Sequence, residues 1–564
     1  LSTCVSRHFA TVDQTQVHYR RAGSGPAVLL LHQSPSSSAE LLPLMQQLAH
    51  SNTLIAPDLP GYGASDPLPT GPLSIESLAE HVAAFLDELG IEAVAVYGFH
   101  TGASVALALA RRHRRRVTLA ICEGLLCLDA AERVEFSARY IEPFEPRFDG
   151  GHLAWLWTRI KDQSLFFPWY ERRAATRLAL DAATVPVLAA RACDWLRSGE
   201  RYFEGYAAAF AYNPRADLPY IEVPLLALCH CHDPLAEHLP RLTPLPASVA
   251  VRRFDSLAER LDLVASALLR HRSLRPAPAV VATRPLEGRV WQDYLVSRNT
   301  PLRVLRTGAG SGPPLVVQHA AQSSARACRP LLDASTRAAR TAIAIELPGH
   351  GETDPWVGVE CESPERLADL VRGALEGLDA HGCDVVGLGA GAVIGVELAR
   401  QSPALARSLT LIGALDLTRD STLQALLLAS YEVPSPDSHG GYLLRAWHEA
   451  RDHLLFFPWY ERRRAFAVSG SPRLAPAFLQ ECAVDALLAG AAGVALRRAE
   501  LRYPLLACLR ELRVSPRHAA PKWEPRYAHS RELAGSAREF LTLAEDPAHW
   551  MRELEPFIHR EAAP

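Results

Sequence analysis

Short, almost wholly apolar runs alternate with longer helical stretches along the whole chain. In the first half the runs at 27–31, 53–56, 93–96, 117–121, 224–228 and 249–254 read as strands. Most lack a polar face, as expected for strands buried on both sides of a parallel sheet covered by helices. The runs at 315–317, 342–345, 385–386, 409–411 and 504–507 repeat the pattern. The expected fold class is therefore α/β, with a mostly parallel sheet and covering helices in each half.

The halves are related by more than pattern. Leu165-Phe-Phe-Pro-Trp-Tyr-Glu-Arg-Arg173 recurs as Leu455-Phe-Phe-Pro-Trp-Tyr-Glu-Arg-Arg463, 290 residues later. Gly150, Gly151, Leu153, Trp157 and Asp162 reappear at the same offset as Gly440, Gly441, Leu443, Trp447 and Asp452. Leu59-Pro60-Gly61 pairs with Leu347-Pro348-Gly349 after a small drift. This predicts two long copies of one domain, head to tail, rather than the short units of a solenoid. The expected boundaries are a first domain over 1–274, a proline-rich linker over 275–288 and a second domain over 289–564.

At 564 residues the chain is too long for one ordinary core. Its 59 basic and 62 acidic residues nearly cancel. The cluster of Arg111, Arg112 and Arg114-Arg115-Arg116 reads as a solvated helix end, so no nucleic-acid partner is expected. No apolar run approaches the roughly 18 to 20 residues of a membrane helix, and no secretory core segment opens the chain. A cytoplasmic protein without a membrane partner is the expectation. Eleven scattered cysteines do not form a disulfide framework.

The chemistry centres on Gly98-Phe99-His100-Thr101-Gly102, the frame G-x-nucleophile-x-G with histidine at its centre. It follows the 93–96 run and opens the alanine-rich helical stretch at about 103–113, the strand-turn-helix setting that frame requires. Leu31-His32-Gln33-Ser34-Pro35 and Pro57-Asp58-Leu59-Pro60-Gly61-Tyr62-Gly63 precede it. With these three landmarks in order, each half resembles an α/β-hydrolase domain with a helical cap insertion, and the His-Thr-Gly-Ala elbow is similar to that of bacterial α/β-hydrolase-like proteins.

The resemblance implies a nucleophile, an acid and a histidine in set places. His100 stands at the nucleophile position and Asp233 at the acid position. The histidine position, after the 249–254 run, holds Asp255, Ser256 and Glu259 instead. The ordinary serine triad is absent. On the functional reading His100 is an acid/base whose tautomer is fixed by Asp255, or by Glu259, with Glu123 and Asp233 as other candidate partners. On the other reading the elbow has decayed and the imidazole fills space. The implied oxyanion hole uses backbone N–H groups, one from Thr101 and one from Gln33 or Ser34. The Thr101 hydroxyl reads as a helix cap rather than a nucleophile. In the second half Gly389 occupies the apex, no Asp-Pro landmark follows 504–507, Glu511 is the nearest acid, and Arg538 or Glu539 stands where histidine belongs. That domain is expected to be catalytically silent.

In the repeated block Trp169 and Tyr170 are candidates to line an aromatic substrate pocket together with His32, and Arg172 or Arg173 to hold a carboxylate. The competing reading makes Phe166, Phe167 and Trp169 the core of the insertion, with the charges in water. Retention of the block in the silent half favours packing, or pairing of the two domains, over substrate contact. Cys229-His230-Cys231-His232 reads as buried cysteine and hydrogen-bonded histidine rather than a metal site. Neither metal nor cofactor is expected. The function expected is an enzyme acting on a small, carbonyl-containing, aromatic-compatible molecule by histidine acid/base chemistry: hydrolysis, carbon–carbon cleavage or proton abstraction. The alternative is a pseudoenzyme that binds a ligand or serves as a scaffold.

Overall fold

The computed structural model describes residues 4–69, 71–271, 276–356, 363–535 and 539–559. The chain divides into two compact units, Leu1–Glu145 with Trp155–Arg284, and Pro146–Ala154 with Pro285–Pro564.

The first unit is built on an eight-stranded sheet: β1 Val5–Val12, β2 Thr15–Ala22, β3 Ala27–Leu31, β4 Thr53–Pro57, β5 Val94–Phe99, β6 Val117–Glu123, β7 Leu225–His230 and β8 Val249–Phe254. Their order is β1-β2-β4-β3-β5-β6-β7-β8. β2 runs antiparallel to β1 and β4, and every other pair is parallel. The most apolar strands lie toward the centre: each residue of β3 and β4 is buried, as their sequence pattern requires. The β1–β2 hairpin falls outside the predicted strands because Arg7, His8, Gln16 and His18 interrupt its apolar residues. The helix Thr101–Arg112 is buried from Thr101 through Ala110, which explains its small residues. Between β6 and β7 the chain inserts the helices Ala130–Arg139, Gly151–Gln163, Val185–Ser198 and Glu204–Ala211.

The second unit has β9 Trp291–Ser297, β10 Thr300–Arg306, β11 Leu315–Gln318, β12 Ala342–Ile345, β13 Cys383–Leu388, β14 Ala406–Ile412, β15 Pro516–Pro521 and β16 Phe540–Leu543. From β9 the order is β9-β10-β12-β11-β13-β14-β15-β16, the same succession as in the first sheet. One predicted strand is wrong: 504–507 lies in the helix Leu505–Leu509, which buries Leu505 and Cys508 three positions apart on one face. The strand in that place is β15, whose Arg517 and His518 hide it from a search for apolar runs.

Two further expectations change. The helix Pro476–Arg502 is long and apolar enough to cross a membrane. Glu481 and Asp485 interrupt it, so it holds no unbroken apolar run of that length. It bends at Gly490 and buries residues such as Leu479, Val484 and Leu496 within the unit. The proline-rich segment is also held to the first unit. Ala277 N–H donates to the Gly25 carbonyl at 2.9 Å and Thr283 Oγ1 to that of Phe9 at 2.9 Å. Arg284 reaches Thr11 O and Glu88. Arg275 lies outside the described residues.

Candidate active site

β5 delivers the chain into a turn at His100 with φ 48° and ψ −107°, after which the buried helix begins. This is a left-handed conformation that a side chain adopts only at a cost of order 1–3 kcal/mol. The flanking glycines are explained by crowding: a Cβ on Gly98 would meet Gly102 O at 2.0 Å, and one on Gly102 would meet Leu31 O at 2.3 Å. The turn is fixed from both sides, since His100 N–H donates to Glu123 O and Ala103 N–H to His100 O, each at 2.9 Å.

His100 Nε2 lies 3.0 Å from Asp233 Oδ2, on the loop that follows β7. The carboxylate can only accept, so Nε2 carries the proton and Nδ1 keeps its lone pair. Leu235 N–H donates to the other carboxylate oxygen at 2.8 Å and holds Asp233 in place. The imidazole stacks on Phe99, with centroids 4.1 Å apart. Its other side meets Gly124, where a Cβ would come within 2.3 Å of Cδ2. Its side chain is 29% exposed, enough for a small molecule to reach it. Burial works against the imidazolium, but the Asp233 carboxylate outweighs it and holds the His100 pKa above its usual 6.5. Burial likewise opposes ionisation of Asp233, and the imidazole outweighs it to hold that carboxyl below its ordinary range.

The tautomer-fixing partner is therefore Asp233, and the other candidates are elsewhere. Asp255 is exposed, with its N–H tied to Glu259 and its carboxylate against the Cys231 thiol. Glu259 is held there too: its carboxylate accepts from the Asp255 N–H, and its own N–H donates to Ser256 Oγ, the cap of the helix Leu257–Arg270. The Glu123 carboxylate turns behind the sheet, where it accepts from Tyr97 at 2.6 Å and Arg260 at 2.7 Å. Glu123 hydrogen-bonds His100 through its backbone carbonyl, and its carboxylate acts on the imidazole only at a distance. Among the anion-hole candidates Gln33 is removed, because its amide donates to Glu40 Oε1 at 2.8 Å and its side chain to Oε2 at 3.0 Å. The Ser34 amide on the same turn and the Thr101 amide at the helix start face no such acceptor among the described residues. His32 is fully buried with both ring nitrogens engaged, Nδ1 with Gln33 O at 2.7 Å and Nε2 with Leu59 N–H at 2.8 Å. It is a strut between two loops and not a substrate contact.

Above His100 opens a cavity of about 810 Å³ with largely apolar walls, among them Phe99, Tyr140, Phe167, Trp195 and Phe210. Of the repeated block Leu165–Arg173, only Phe167 lines it. Trp169 is buried and donates to Tyr140 O at 3.1 Å, Tyr170 donates to Glu135 at 3.1 Å, and Arg172 pairs with Asp162 at 2.6 Å. The exposed Arg173 pairs with Glu171 at 2.6 Å. These four pack or pair outside the cavity, and Arg462 with Asp452 repeats the Arg172 ion pair in the second unit. The cysteine–histidine run does not converge either: among the described residues no group of three or more His, Cys, Asp or Glu is arranged to hold a metal.

In the second unit Gly389 has φ 54°, and a Cβ there would meet the Arg526 guanidinium at 2.8 Å. Arg526 pairs with Glu500 at 2.6 Å and Glu524 at 3.0 Å. Glu524 follows β15 as Asp233 follows β7, and the signal for it was the acid–proline dipeptide Glu524-Pro525 matching Asp233-Pro234. The mislocated strand concealed it. Glu511, the expected acid, pairs with Arg400 at 2.7 Å away from this point. Glu539 contributes its backbone carbonyl to His518 N–H, and Arg538 lies outside the described residues.

Residues 26–138 match the model of a family described as the alpha/beta hydrolase fold. The chain is 40% identical over 108 residues to an uncharacterised hydrolase of Saccharomyces cerevisiae, covering 19% of this chain and 37% of that protein. It is 36% identical over 129 residues to a soluble epoxide hydrolase of Corynebacterium sp., covering 23% and 43%. The match thus spans about two fifths of these relatives' length. The solved structure of an enol-lactonase from Burkholderia xenovorans is similar at 21% identity with a TM-score of 0.37, covering 47% of this chain and 98% of that one.

Proposed function

We propose that the first unit, an α/β-hydrolase fold, is an enzyme in which His100 and Asp233 form an acid/base dyad acting on a small carbonyl compound without a serine nucleophile. The observation that carries this reading is the 3.0 Å contact between His100 Nε2 and Asp233 Oδ2 at the floor of the apolar cavity. Nδ1 takes a proton from the substrate, or from a water that attacks it. Asp233 stabilises the imidazolium that results. Negative charge developing on the carbonyl oxygen falls to the amides of Ser34 and Thr101. The helical insertion between β6 and β7 serves as the cap over the substrate. The second unit is a duplicated copy whose elbow has lost its chemistry: Gly389 offers no side chain and an ion-paired arginine stands over it.

A pH–rate profile of the wild type and Asp233→Asn on aryl esters and aryl ketones tests the dyad. A base must be deprotonated, so kcat/KM rises as pH climbs through the His100 pKa, above 6.5 in the wild type. In D233N the main charge that offsets burial is gone and only the weaker effects of Glu123 and Glu40 remain, so the limb moves to lower pH while the rate falls by about 10²-fold. Identical profiles for the two proteins would reject the dyad.

A further inference from the structure

Arg159, on the helix Gly151–Gln163, is 1% exposed, and its Nε and NH2 atoms are buried without a hydrogen-bond partner. Its guanidinium lies 4.1 Å from the Trp169 ring, with Tyr140 and Trp195 at 4.9 and 5.4 Å. Aromatic faces offset only part of the cost of desolvating a charge that no carboxylate neutralises. Toward the cavity, Arg159 NH1 donates to Gln163 Oε1 at 2.7 Å, and Gln163 Nε2 in turn donates to the Tyr206 hydroxyl at 3.0 Å. The Tyr206 hydroxyl itself donates to Gln163 Oε1 only at 3.4 Å, a long bond to an oxygen that also accepts from Arg159. Gln163 and Tyr206 both line the cavity.

A second cation stands on the same wall. Arg191, on the helix Val185–Ser198, lines the cavity from its exposed side, and its charge acts on the Tyr206 hydroxyl together with that of Arg159. Of the acids lining the cavity, Asp233 is matched by His100 and Asp181 is exposed at the rim. Positive charge from Arg159 and Arg191 therefore outweighs that of Glu40 at Tyr206, whose hydroxyl makes only a long donation to Gln163, while the walls at Phe167 and Phe210 are apolar.

We propose that the cavity takes a substrate with a carboxylate group, held by the Tyr206 hydroxyl and the Arg191 guanidinium and backed by buried Arg159, its apolar body lying toward His100. This rests on the reading of the cavity as the substrate site. The probes are 3-phenylpropanoate and 4-phenylbutanoate with their primary amides, titrated calorimetrically into the full chain. The carboxylates bind about tenfold tighter than the amides. Arg191→Met and Tyr206→Phe each weaken the carboxylates by about fivefold or more and leave the amides unchanged. Arg159→Met removes a buried residue on which folding depends, so the exposed arginine and the isosteric phenylalanine carry the test. His100→Gln keeps the carboxylate preference, which separates this claim from the acid/base role. Equal binding of acids and amides, or no binding of either, overturns it. So does a preference that survives R191M and Y206F, or one lost only in H100Q, which would put the carboxylate on the imidazolium.

Discussion

His100 occupies a backbone conformation that disfavours a side chain, in a pocket of contacts tight enough to set its ring plane. Phe99 stacks on one side and Gly124 allows no Cβ on the other. The matching apex of the second unit holds glycine, Gly389, at φ 54°, where the absence of a side chain removes that cost. Gly124, itself at φ 66°, is the sharpest probe of this arrangement. Gly124→Ala places a methyl 2.3 Å from His100 Cδ2 and must tilt the ring away from Asp233. It should cost about 1–3 kcal/mol in urea unfolding and lower the His100 pKa, read by NMR titration. An unchanged pKa would mean that the ring has freedom the packing denies it. The histidine and Asp233 were legible from the elbow frame and the Asp-Pro dipeptide. That Asp233, and not Asp255, faces the imidazole was not, because the choice depends on how two loops fold back over β7 and β8.

Among the elements, what could be read tracks burial. β3 and β12 are apolar from end to end, and β4 is apolar but for its first residue, Thr53; all three coincide with the predicted runs within a residue. β1, β2 and β15 carry arginine and histidine, supported by their neighbours, and periodicity alone passes over them. The repeated Phe-Phe-Pro-Trp-Tyr-Glu-Arg-Arg block was legible as important and ambiguous as to why. The structure separates its members: Trp169 is core and Arg172 is an exposed ion pair. Trp169→Ala should therefore lower stability by about 3–5 kcal/mol. Arg172→Ala should cost about 0–1 kcal/mol and leave KM unchanged. A raised KM in R172A with intact stability would return that arginine to the substrate.

At the scale of the whole molecule, two sheets share one strand order, and the landmarks along them differ where the chemistry lies. His32 and His319 make the same strut, each with Nδ1 toward the next carbonyl and Nε2 accepting a backbone N–H from Leu59 or Leu347. The scaffold is alike in both units, while the apex and the acid differ: His100 with Asp233 in one, Gly389 under Arg526 with Glu524 in the other. The account predicts that turnover belongs to the first unit alone. The direct measurement is kcat on aryl carbonyl substrates for the wild type, His100→Gln and Arg526→Gln, each folded by circular dichroism. H100Q should lose about 10²-fold or more while R526Q stays within about twofold. Turnover that persists in H100Q, or is absent from the wild type, would contradict the account.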